Sequence, residues 1–444
     1  MATYEEKKQR LLAELRASEG MAVGLAKNTS NLFRDRNNAP KHKLDVRNFN
    51  NVLRVDAANG WVEAEGMTPY EKLVDAMLAH GVMPAVVPQL KSITLGGAAA
   101  GVGIEASSFK YGLVHETLLE MEILLPDGRI VLCTPDNEHK DLFYGFPNSY
   151  GTLGYVLKLK AKAIPVKKFV QLQHIRHTDP AEYFRDLEQR CAQDVDFVDG
   201  VVFGRNEMVI TLGRFVDNAP FVSDYTYKNI YYRSLRERTT DFLTTHDYIW
   251  RWDTDWFWCS RNFLVQNPII RRIVGKPFLN SVTYSKIMRW NSKWKLTKRL
   301  DRLMGVHSES VIQDVDIPIA NAPQFLDFFQ REIGILPIWV CPIHPYQPNV
   351  QFDLFRLDPN TLYVNFGFWD VVKGREQHPK GYYNRQIERK VAELGGIKSL
   401  YSDSYYEPEE FWNIYNKRAY IQLKRKYDPQ SAFKDLYQKC VLRQ

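Results

Sequence analysis

Residues 95–103, LGGAAAGVG, constrain the fold of this chain most, because nearly all of their side chains are Gly or Ala. Glycine adopts positive φ without strain and lets other groups approach the main chain closely. Bare backbone N–H groups in such a run are typical of loops that bind phosphate. The residues that follow add hydroxyls, a cation and an aromatic ring: Ser107, Ser108, Lys110 and Tyr111. The segment predicts a site for an anionic cofactor with a flat ring system, and the alternative is a glycine-rich turn between packed elements.

The same segment contains Gly101-x-Gly103-x-x-Ala106, which is close to the dinucleotide fingerprint of Rossmann folds. That fingerprint requires a long buried strand before it and a full helix after it. Only three residues of strand character precede Gly96, and Gly112 follows Ala106 within six residues. We therefore interpret the match as accidental and expect a different nucleotide-binding fold.

The length of 444 residues exceeds the usual limit of about 250–300 for one hydrophobic core, so two domains or a large insertion are expected. The 13% aromatic content suggests apolar surfaces that face a cofactor or substrate as well as the core. Five scattered cysteines without a C-x-x-C pair argue against disulfides and against a metal site. The charged N-terminal residues and the lack of an apolar run of about 18 residues predict a cytoplasmic protein without a membrane span.

The net charge of +7 is concentrated in the segment from Arg271 to Arg302, which contains ten Lys or Arg and one acid. Trp290 and Trp294 are interleaved with these cations. A basic segment with tryptophans suits an anionic lipid surface, although a solvated helix face fits the same pattern. We expect peripheral contact with the inner face of the cytoplasmic membrane and no nucleic-acid partner. A lipid or nucleic-acid binding protein without enzymatic activity is the alternative outside the enzymes.

The pattern of the chain changes near Pro165. Before it, short strand patterns alternate with a few helix patterns, and a Pro-Asp-Gly turn at 126–128 predicts a hairpin. After it, longer strands alternate with helices, as in an antiparallel sheet with helices packed on it. We predict an α+β fold in three parts: residues 1–165, a second α+β domain at 166–395, and a C-terminal helical segment at 396–444.

Two local patterns in the first part give specific expectations. Residues 68–80 predict a helix capped by Thr68, with Glu71 at the third helical position. Residues 44–53 predict a single strand.

Residues 250–258, WRWDTDWFW, form a cluster of tryptophans and charged residues. Buried aromatic packing explains such a cluster, and so does the wall of an apolar substrate pocket. Within it, the pKa of a carboxyl group would rise, which makes Asp253 and Asp255 candidate proton donors.

Several short motifs together are more specific than any one of them. In chain order they are Ile93-Thr-Leu-Gly-Gly97, Gly103-Ile-Glu105, Ser107-Ser-x-Lys-Tyr-Gly-Leu113, Asp127-Gly, Cys133-Thr-Pro, Asp141-Leu-Phe-Tyr and Gly151-Thr-Leu-Gly154. With them the chain resembles the Δ24-sterol reductase (diminuto/seladin) branch of the vanillyl-alcohol-oxidase-like flavoproteins. It is equally similar to bacterial flavoproteins that act on methyl-branched or methylene-bearing fatty acyl chains. The sequence motifs that begin at Pro88 and Phe146 favour these bacterial proteins.

The resemblance implies a bipartite FAD-binding domain of the p-cresol methylhydroxylase (PCMH) type, a substrate or cap domain, and a C-terminal segment that packs back on the FAD domain. The residues it implies for FAD are Asn28, Thr29, Ser30, Asn31, Pro88, Thr94, Leu95, Gly96, Gly97, Gly101, Gly103, Ile104, Glu105, Ser107, Ser108, Lys110, Tyr111, Gly112, Gly151, Thr152 and Gly154. Because the two loops that tether flavin in related proteins contain neither His nor Cys here, we expect FAD to bind non-covalently. NADPH is a possible electron donor.

The implied reaction is reduction of a methylene or unsaturated fatty acyl chain of a phospholipid to a methyl-branched chain. The alternatives are side-chain reduction of a sterol, as in the Δ24-sterol reductases, and the reverse desaturation. Reduction requires a proton donor near the flavin, and the candidates are Asp253, Asp255, Tyr401 and Tyr405. The expected substrate pocket is formed by Arg251, Trp252, Trp256, Gln313 and Trp339.

Overall fold

Two sheets organise the protein, and both are antiparallel along their main paths. The computed structural model describes residues 2–18, 21, 23–28, 33–34, 42–294 and 305–444, with the side chains of 289–294 left out. The strands are β1 Val23–Ala26, β2 His42–Asp45, β3 Val52–Asp56, β4 Trp61–Glu65, β5 Val82–Pro84, β6 Leu118–Leu124, β7 Ile130–Cys133, β8 Tyr155–Pro165, β9 Phe169–His177, β10 Phe197–Gly204, β11 Glu207–Val216, β12 Thr240–Thr244, β13 His307–Pro318, β14 Ile338–Ile343, β15 Tyr363–Gly374 and β16 Ile397–Lys398.

The helices that connect these strands are mostly short. They are α1 Tyr4–Ala17, α2 Tyr70–Leu78, α3 Leu95–Ala100, α4 Ser108–Tyr111, α5 Lys140–Gly145, α6 Pro180–Cys191, α7 Tyr231–Ser234, α8 Thr245–Ile249, α9 Pro268–Val274, α10 Ser281–Trp294, α11 Ala322–Glu332, α12 Tyr382–Glu393, α13 Pro408–Ile414, α14 Lys417–Tyr427 and α15 Leu436–Cys440. Short 3₁₀ helices lie at Val114–Thr117, Cys259–Phe263, Lys276–Phe278 and Ile319–Asn321. Within the described residues, no helix has both the length and the apolar character that crossing a bilayer requires.

The first sheet has the order β3-β4-β8-β6-β7, with β5 added beside β8. The predicted hairpin is confirmed: β6 and β7 pair from Met121 opposite Cys133 to Leu124 opposite Ile130, and Gly128 has a φ of 87° in the turn. A parallel pair, β1 and β2, lies outside this sheet.

The second sheet has the order β12-β9-β11-β10-β14-β15-β13-β16. Side chains of a strand alternate between its two faces. On β13, Val311, Val315 and Ile317 belong to the core beneath α6, α11 and α12. Asp314 therefore points to the opposite face, where the first sheet and the aromatic cluster lie. This alternation places a carboxyl group between the two halves of the molecule.

The division at residues 165 and 395 stays a prediction. The topology agrees with a change near residue 165, but β16 at Ile397–Lys398 pairs with β13, so the second sheet extends past residue 395. Strand β8 ends at Pro165 in the first sheet, and β9 begins the second sheet at Phe169. In the C-terminal segment, Lys424 Nζ donates to the carbonyl oxygen of Thr152 (2.8 Å). The Tyr427 hydroxyl donates to Asp141 Oδ1 (2.7 Å), so this segment contacts the first part again. The predicted α+β class with a PCMH-type FAD-binding domain is confirmed.

Three local expectations were wrong. The helix expected at 68–80 begins at Tyr70, because Thr68 Oγ1 donates to the carbonyl oxygen of Asn51 instead of capping the helix. The strand expected at 44–53 is two strands, β2 and β3, separated by a turn. The glycine-rich segment is not an open loop: it contains α3, because Thr94 Oγ1 accepts the Gly97 N–H at the helix start.

Candidate active site

One cavity of about 660 Å³ lies between the first sheet and the face of the second sheet that carries Asp314. That volume is within the range of small-molecule and cofactor sites. Its lining includes a run of small residues, here called the small-residue end, and a group of aromatic side chains, here called the aromatic end. The cavity therefore joins the two sequence features that predicted a cofactor and an apolar substrate.

The small-residue end is formed by α3 and the residues after it. A Cβ at Gly96 would lie 2.6 Å from the carbonyl oxygen of Gly66, and a Cβ at Gly103 would lie 2.7 Å from Val114 Cγ2. The glycines thus allow close packing behind the wall as well as bare backbone along it. Five cations also line the cavity: Lys27, Arg34, Lys43, Lys439 and Arg443. Cations and exposed main chain together suit a diphosphate.

The aromatic end is formed by rings from three parts of the chain. The rings are those of Trp256, Phe257, Trp339, Trp369 and Tyr401. Phe257 and Trp369 pack with ring centroids 4.3 Å apart. Trp256 and Phe257 have positive φ values of 43° and 59°, a conformation that costs energy in bulky residues and persists only where surrounding contacts enforce it. This wall suits a flat ring or a hydrocarbon.

Asp314 is the carboxyl group of the aromatic end. Its Oδ1 is buried and has no hydrogen-bond partner among the described residues. Burial raises the pKa of Asp314 to about 7, and the neighbouring Tyr401 hydroxyl offsets part of that rise. Gly367 lies opposite it on β15, and a Cβ there would be 2.7 Å from Asp314 Oδ1.

The cavity fits FAD on three independent observations. Buried polar atoms of Gln89, Tyr150 and Asp314 face it and have no partner among the described residues. Buried polar groups are normally paired, so these atoms indicate a polar ligand. The cations and the aromatic wall supply the groups that a diphosphate and a flat ring system require.

The predicted cofactor residues divide into two groups. Those in the cavity lining are Pro88, Thr94, Gly96, Gly97, Gly101, Gly103, Ile104, Gly151 and Gly154. Those outside the lining are Asn28, Leu95, Glu105, Ser107, Ser108, Lys110, Tyr111, Gly112 and Thr152. Thr29, Ser30 and Asn31 lie outside the described residues.

Several residues outside the lining support the wall. Ser107 Oγ donates to the carbonyl oxygen of Ala85 (2.7 Å), and Thr152 Oγ1 donates to that of Ser149 (2.8 Å). Their hydroxyls are used within the fold, so they are not available to a ligand.

The predicted substrate pocket is divided in the same way. Trp256 and Trp339 line the cavity, whereas Trp252 lies in the core behind them. Gln313 points to the opposite face of β13, where its Nε2 donates to Asn384 Oδ1 (2.6 Å). Arg251 is buried in an ion-pair network instead of facing a substrate.

Of the four candidate proton donors, Tyr401 lines the cavity. Asp255 forms a bidentate ion pair with Arg271 (2.7 and 2.9 Å). Asp253 accepts a hydrogen bond from Ser281, and neither carboxylate is in the lining. Tyr405 also lies outside the lining.

Sequence reasoning missed Asp314, Phe257, Trp369, Arg34 and the cations of the C-terminal segment. For Asp314 a signal was present, because two acids, Asp314 and Asp316, alternate with Val and Ile in this strand, and charged residues are rarely buried unless their environment uses them. The other residues are brought to the cavity by tertiary packing that no local pattern indicates.

Comparisons with known proteins agree with this geometry. A family model described as an FAD binding domain matches residues 5–134. The chain is 30% identical over 420 residues to the Delta(24)-sterol reductase of Homo sapiens, covering 90% of this chain and 77% of that protein. It is 26% identical over 452 residues to the Delta(24)-sterol reductase of Pisum sativum, with 91% and 77% coverage. Cytokinin dehydrogenase 7 of Oryza sativa subsp. japonica is 26% identical over 178 residues, 38% of this chain and 33% of that protein.

These findings confirm FAD as the cofactor and oxidoreduction as the activity. They correct the predicted location in the cytoplasm and at the inner face of the cytoplasmic membrane, which depended on the charged N-terminal residues and the lack of a long apolar run. The long matches are to sterol reductases of eukaryotes, which do not support that location. Coverage of most of both chains at this identity, together with the cavity, shows that the protein is an FAD-dependent oxidoreductase that belongs to the Delta(24)-sterol reductase family.

Proposed function

We propose that the protein reduces a carbon–carbon double bond in the side chain of a sterol. The observation that supports this most is the single cavity that runs from the small-residue segment to the aromatic wall. A rigid apolar substrate can lie against Trp256, Trp339 and Trp369 while the cofactor occupies the other end. The names of the family's matched members support a sterol as the substrate.

Reduced FAD, when bound, supplies a hydride to one carbon of the double bond. The protein's own contribution is to exclude water, orient the apolar substrate and give a proton to the second carbon. The aromatic wall performs the first two tasks, since Trp256, Phe257 and Trp339 are buried and Trp369 packs on Phe257. The third task requires an acid at the same end of the cavity.

Non-covalent binding of FAD and NADPH as the electron donor are parts of the same proposal. The resemblance implies that His and Cys are the side chains that most often tether flavin in this superfamily. The described lining of the cavity contains neither. FAD should therefore be released when the protein is precipitated with acid.

The decisive experiment uses the purified, FAD-loaded protein under anaerobic conditions. The protein is reduced with NADPH and mixed with a sterol that has a Δ24 double bond, with the saturated sterol as the matched control. Flavin reoxidation and a product two hydrogens heavier, seen with the unsaturated sterol alone, are the expected results. A parallel arm offers a phospholipid with a methylene-bearing acyl chain. Reduction of that lipid alone would overturn the sterol proposal, and so would inertness toward both lipids.

A second part of the proposal concerns the surface formed by residues 264–287, which we call the basic apolar surface. Its exposed apolar side chains are Leu264, Ile269, Ile273, Phe278 and Ile287, with exposed fractions of 68, 71, 80, 59 and 42%. Arg272, Lys276 and Lys286 are exposed among them, and no Asp or Glu occurs between residues 256 and 300. We propose that this surface binds a membrane with anionic headgroups.

The basic apolar surface is connected to the cavity wall. Arg271 on α9 pairs with Asp255, which directly precedes Trp256 and Phe257 in the lining. The ring of Phe263 stacks on that of Tyr284 on α10, with centroids 5.3 Å apart. A lipid that leaves the membrane at this surface would meet the aromatic end of the cavity first. The remainder of the predicted Arg271–Arg302 contact, residues 295–302 and the side chains of 289–294, lies outside the described residues.

A further inference from the structure

Strand β13 carries two acids, half-buried Asp314 and buried Asp316, two residues apart and on the same face. Burial raises the pKa of each to about 7. Their surroundings differ. Asp316 Oδ1 accepts a hydrogen bond from Asn365 Nδ2 (2.7 Å) and lies outside the cavity lining, whereas Asp314 is part of that lining. The strand thus contains an acid that faces the cavity and a matched acid that does not.

The Tyr401 hydroxyl links Asp314 to the aromatic wall. It accepts a hydrogen bond from Trp369 Nε1 (3.0 Å), and an indole N–H can only donate. The hydroxyl hydrogen is therefore free to point toward the Asp314 carboxyl, with which Tyr401 interacts. That interaction leaves Asp314 Oδ1, which has no partner among the described residues, to hold a proton facing the cavity.

We propose that Asp314 is the catalytic acid and that Tyr401 is its positioning residue. This inference rests on the proposed function. The O–H bond of the Asp314 carboxyl breaks as a C–H bond forms at the carbon that does not receive the hydride. Hydride and proton together saturate the double bond, so the lipid is reduced and the cofactor is oxidised. Asp314 is left as a carboxylate and regains its proton from water once the product has left.

The environment of Asp314 suits this role. A catalytic acid is most effective when its pKa lies near the working pH. The titratable groups that face Asp314 are Tyr401, Tyr150 and Asp316, and no Lys or Arg forms an ion pair with it among the described residues. Without a cation to stabilise the carboxylate, the neutral acid predominates below about pH 7.

Asp314→Asn and Asp316→Asn provide a matched pair of variants. Both are nearly isosteric, and both replace a carboxyl group that is neutral in much of the folded protein. We expect Asp314→Asn to lose roughly a hundredfold or more in the rate of double-bond reduction, at unchanged FAD content. Wild-type activity should fall as the pH rises through about 7, because the acid form is lost, and Asp316→Asn should retain that decline.

Tyr401→Phe tests the positioning role through the pH profile. The Tyr401 hydroxyl lowers the pKa of Asp314, so its removal should move the decline in activity to higher pH. A merely structural role for Tyr401 would reduce the rate without moving the profile.

Infrared spectroscopy supplies a readout that needs no substrate. The carbonyl stretch of a protonated carboxyl group should disappear between pH 5 and pH 9 in wild type and in Asp316→Asn, with an Asp314 component that is missing in Asp314→Asn. Wild-type reduction of neither lipid would overturn the proposed function. An Asp314→Asn variant with wild-type turnover, or the absence of an Asp314 component, would overturn this inference alone.

Discussion

Arg251 and Glu105, 146 positions apart in the chain, form a buried ion pair with 2.8 Å between Nη2 and Oε1. The same guanidinium nitrogen lies 2.9 Å from Asp199 Oδ2. Asp199 in turn accepts a hydrogen bond from Trp339 Nε1 (3.2 Å), and Trp339 lines the cavity. One cation therefore connects the segment after the small-residue wall, the second sheet and an aromatic ring of the candidate active site.

Replacement of Arg251 by Met should destabilise the protein by about 3–5 kcal/mol, because it leaves two carboxyl groups buried without their cation. Denaturant unfolding of the variant measures this change. Arg236→Met is the matched control, since Arg236 pairs with Glu207 at an exposed site and should cost at most about 1 kcal/mol. Equal losses in the two variants would contradict a structural role for the buried network.

Replacement of Gly96 by Ala should weaken FAD binding roughly tenfold or more. The added Cβ would lie 2.6 Å from the carbonyl oxygen of Gly66, a backbone atom directly after β4 that cannot rotate away as a side chain can, so α3 must shift. Titration of the apoprotein with FAD, followed by flavin fluorescence, gives the dissociation constant. Gly374→Ala is the control, because nothing lies within 4 Å of a Cβ there. Unchanged affinity in Gly96→Ala would argue against α3 as part of the cofactor site.

The double replacement of Ile273 and Phe278 by Ser should reduce binding to anionic vesicles roughly tenfold or more, because it removes two of the most exposed apolar side chains of the basic apolar surface. Co-sedimentation with vesicles of phosphatidylcholine and phosphatidylserine measures the effect, with pure phosphatidylcholine and added salt as tests of the charge component. Leu132 and Phe221 are exposed elsewhere, each by 45%, and their replacement by Ser should leave binding unchanged. A protein that dimerises through this surface instead would show loss of self-association in the double variant and no vesicle binding in wild type.

Replacement of Asp316 by Asn should increase the stability of the variant relative to wild type as the pH rises from about 4 to 7. The pKa of this carboxyl is raised from 3.8 in the unfolded chain to about 7 in the fold, so across that window only the folded form keeps the proton. Its contribution to the free energy of unfolding therefore falls with rising pH and levels off above 7, by about 4 kcal/mol at most. Asp314, Tyr363 and Cys341 face this group, and its charge raises the pKa of each. That contribution is lost in the variant. Melting temperatures of variant and wild type at pH 4 to 8 check the trend, and a constant difference would refute it.

The sequence indicated the glycines that line the cavity, because main-chain accessibility there depends directly on the absence of side chains at Gly96, Gly97, Gly101 and Gly103. The reacting end was harder to predict. Asp253 and Asp255 lie among tryptophans in the chain. In the fold, Ser281 donates a hydrogen bond to Asp253 and Arg271 forms an ion pair with Asp255, and both partners come from later helices. Asp314 reaches the cavity because β13 pairs with β15 in one register, a relation between strands that are about fifty residues apart. Local patterns indicate which residues can form a ligand site, whereas pairing between distant strands decides which of them do.

The cavity wall includes both Val23 and Arg443, with contributions from many segments between them. During synthesis on the ribosome, the first sheet emerges hundreds of residues before the C-terminal helices that complete that wall. The nucleotide can therefore be retained only at a late stage of maturation, when those helices have docked. FAD should then act as a stabilising ligand for the finished protein. Riboflavin starvation should therefore lower the abundance of the protein as well as its activity.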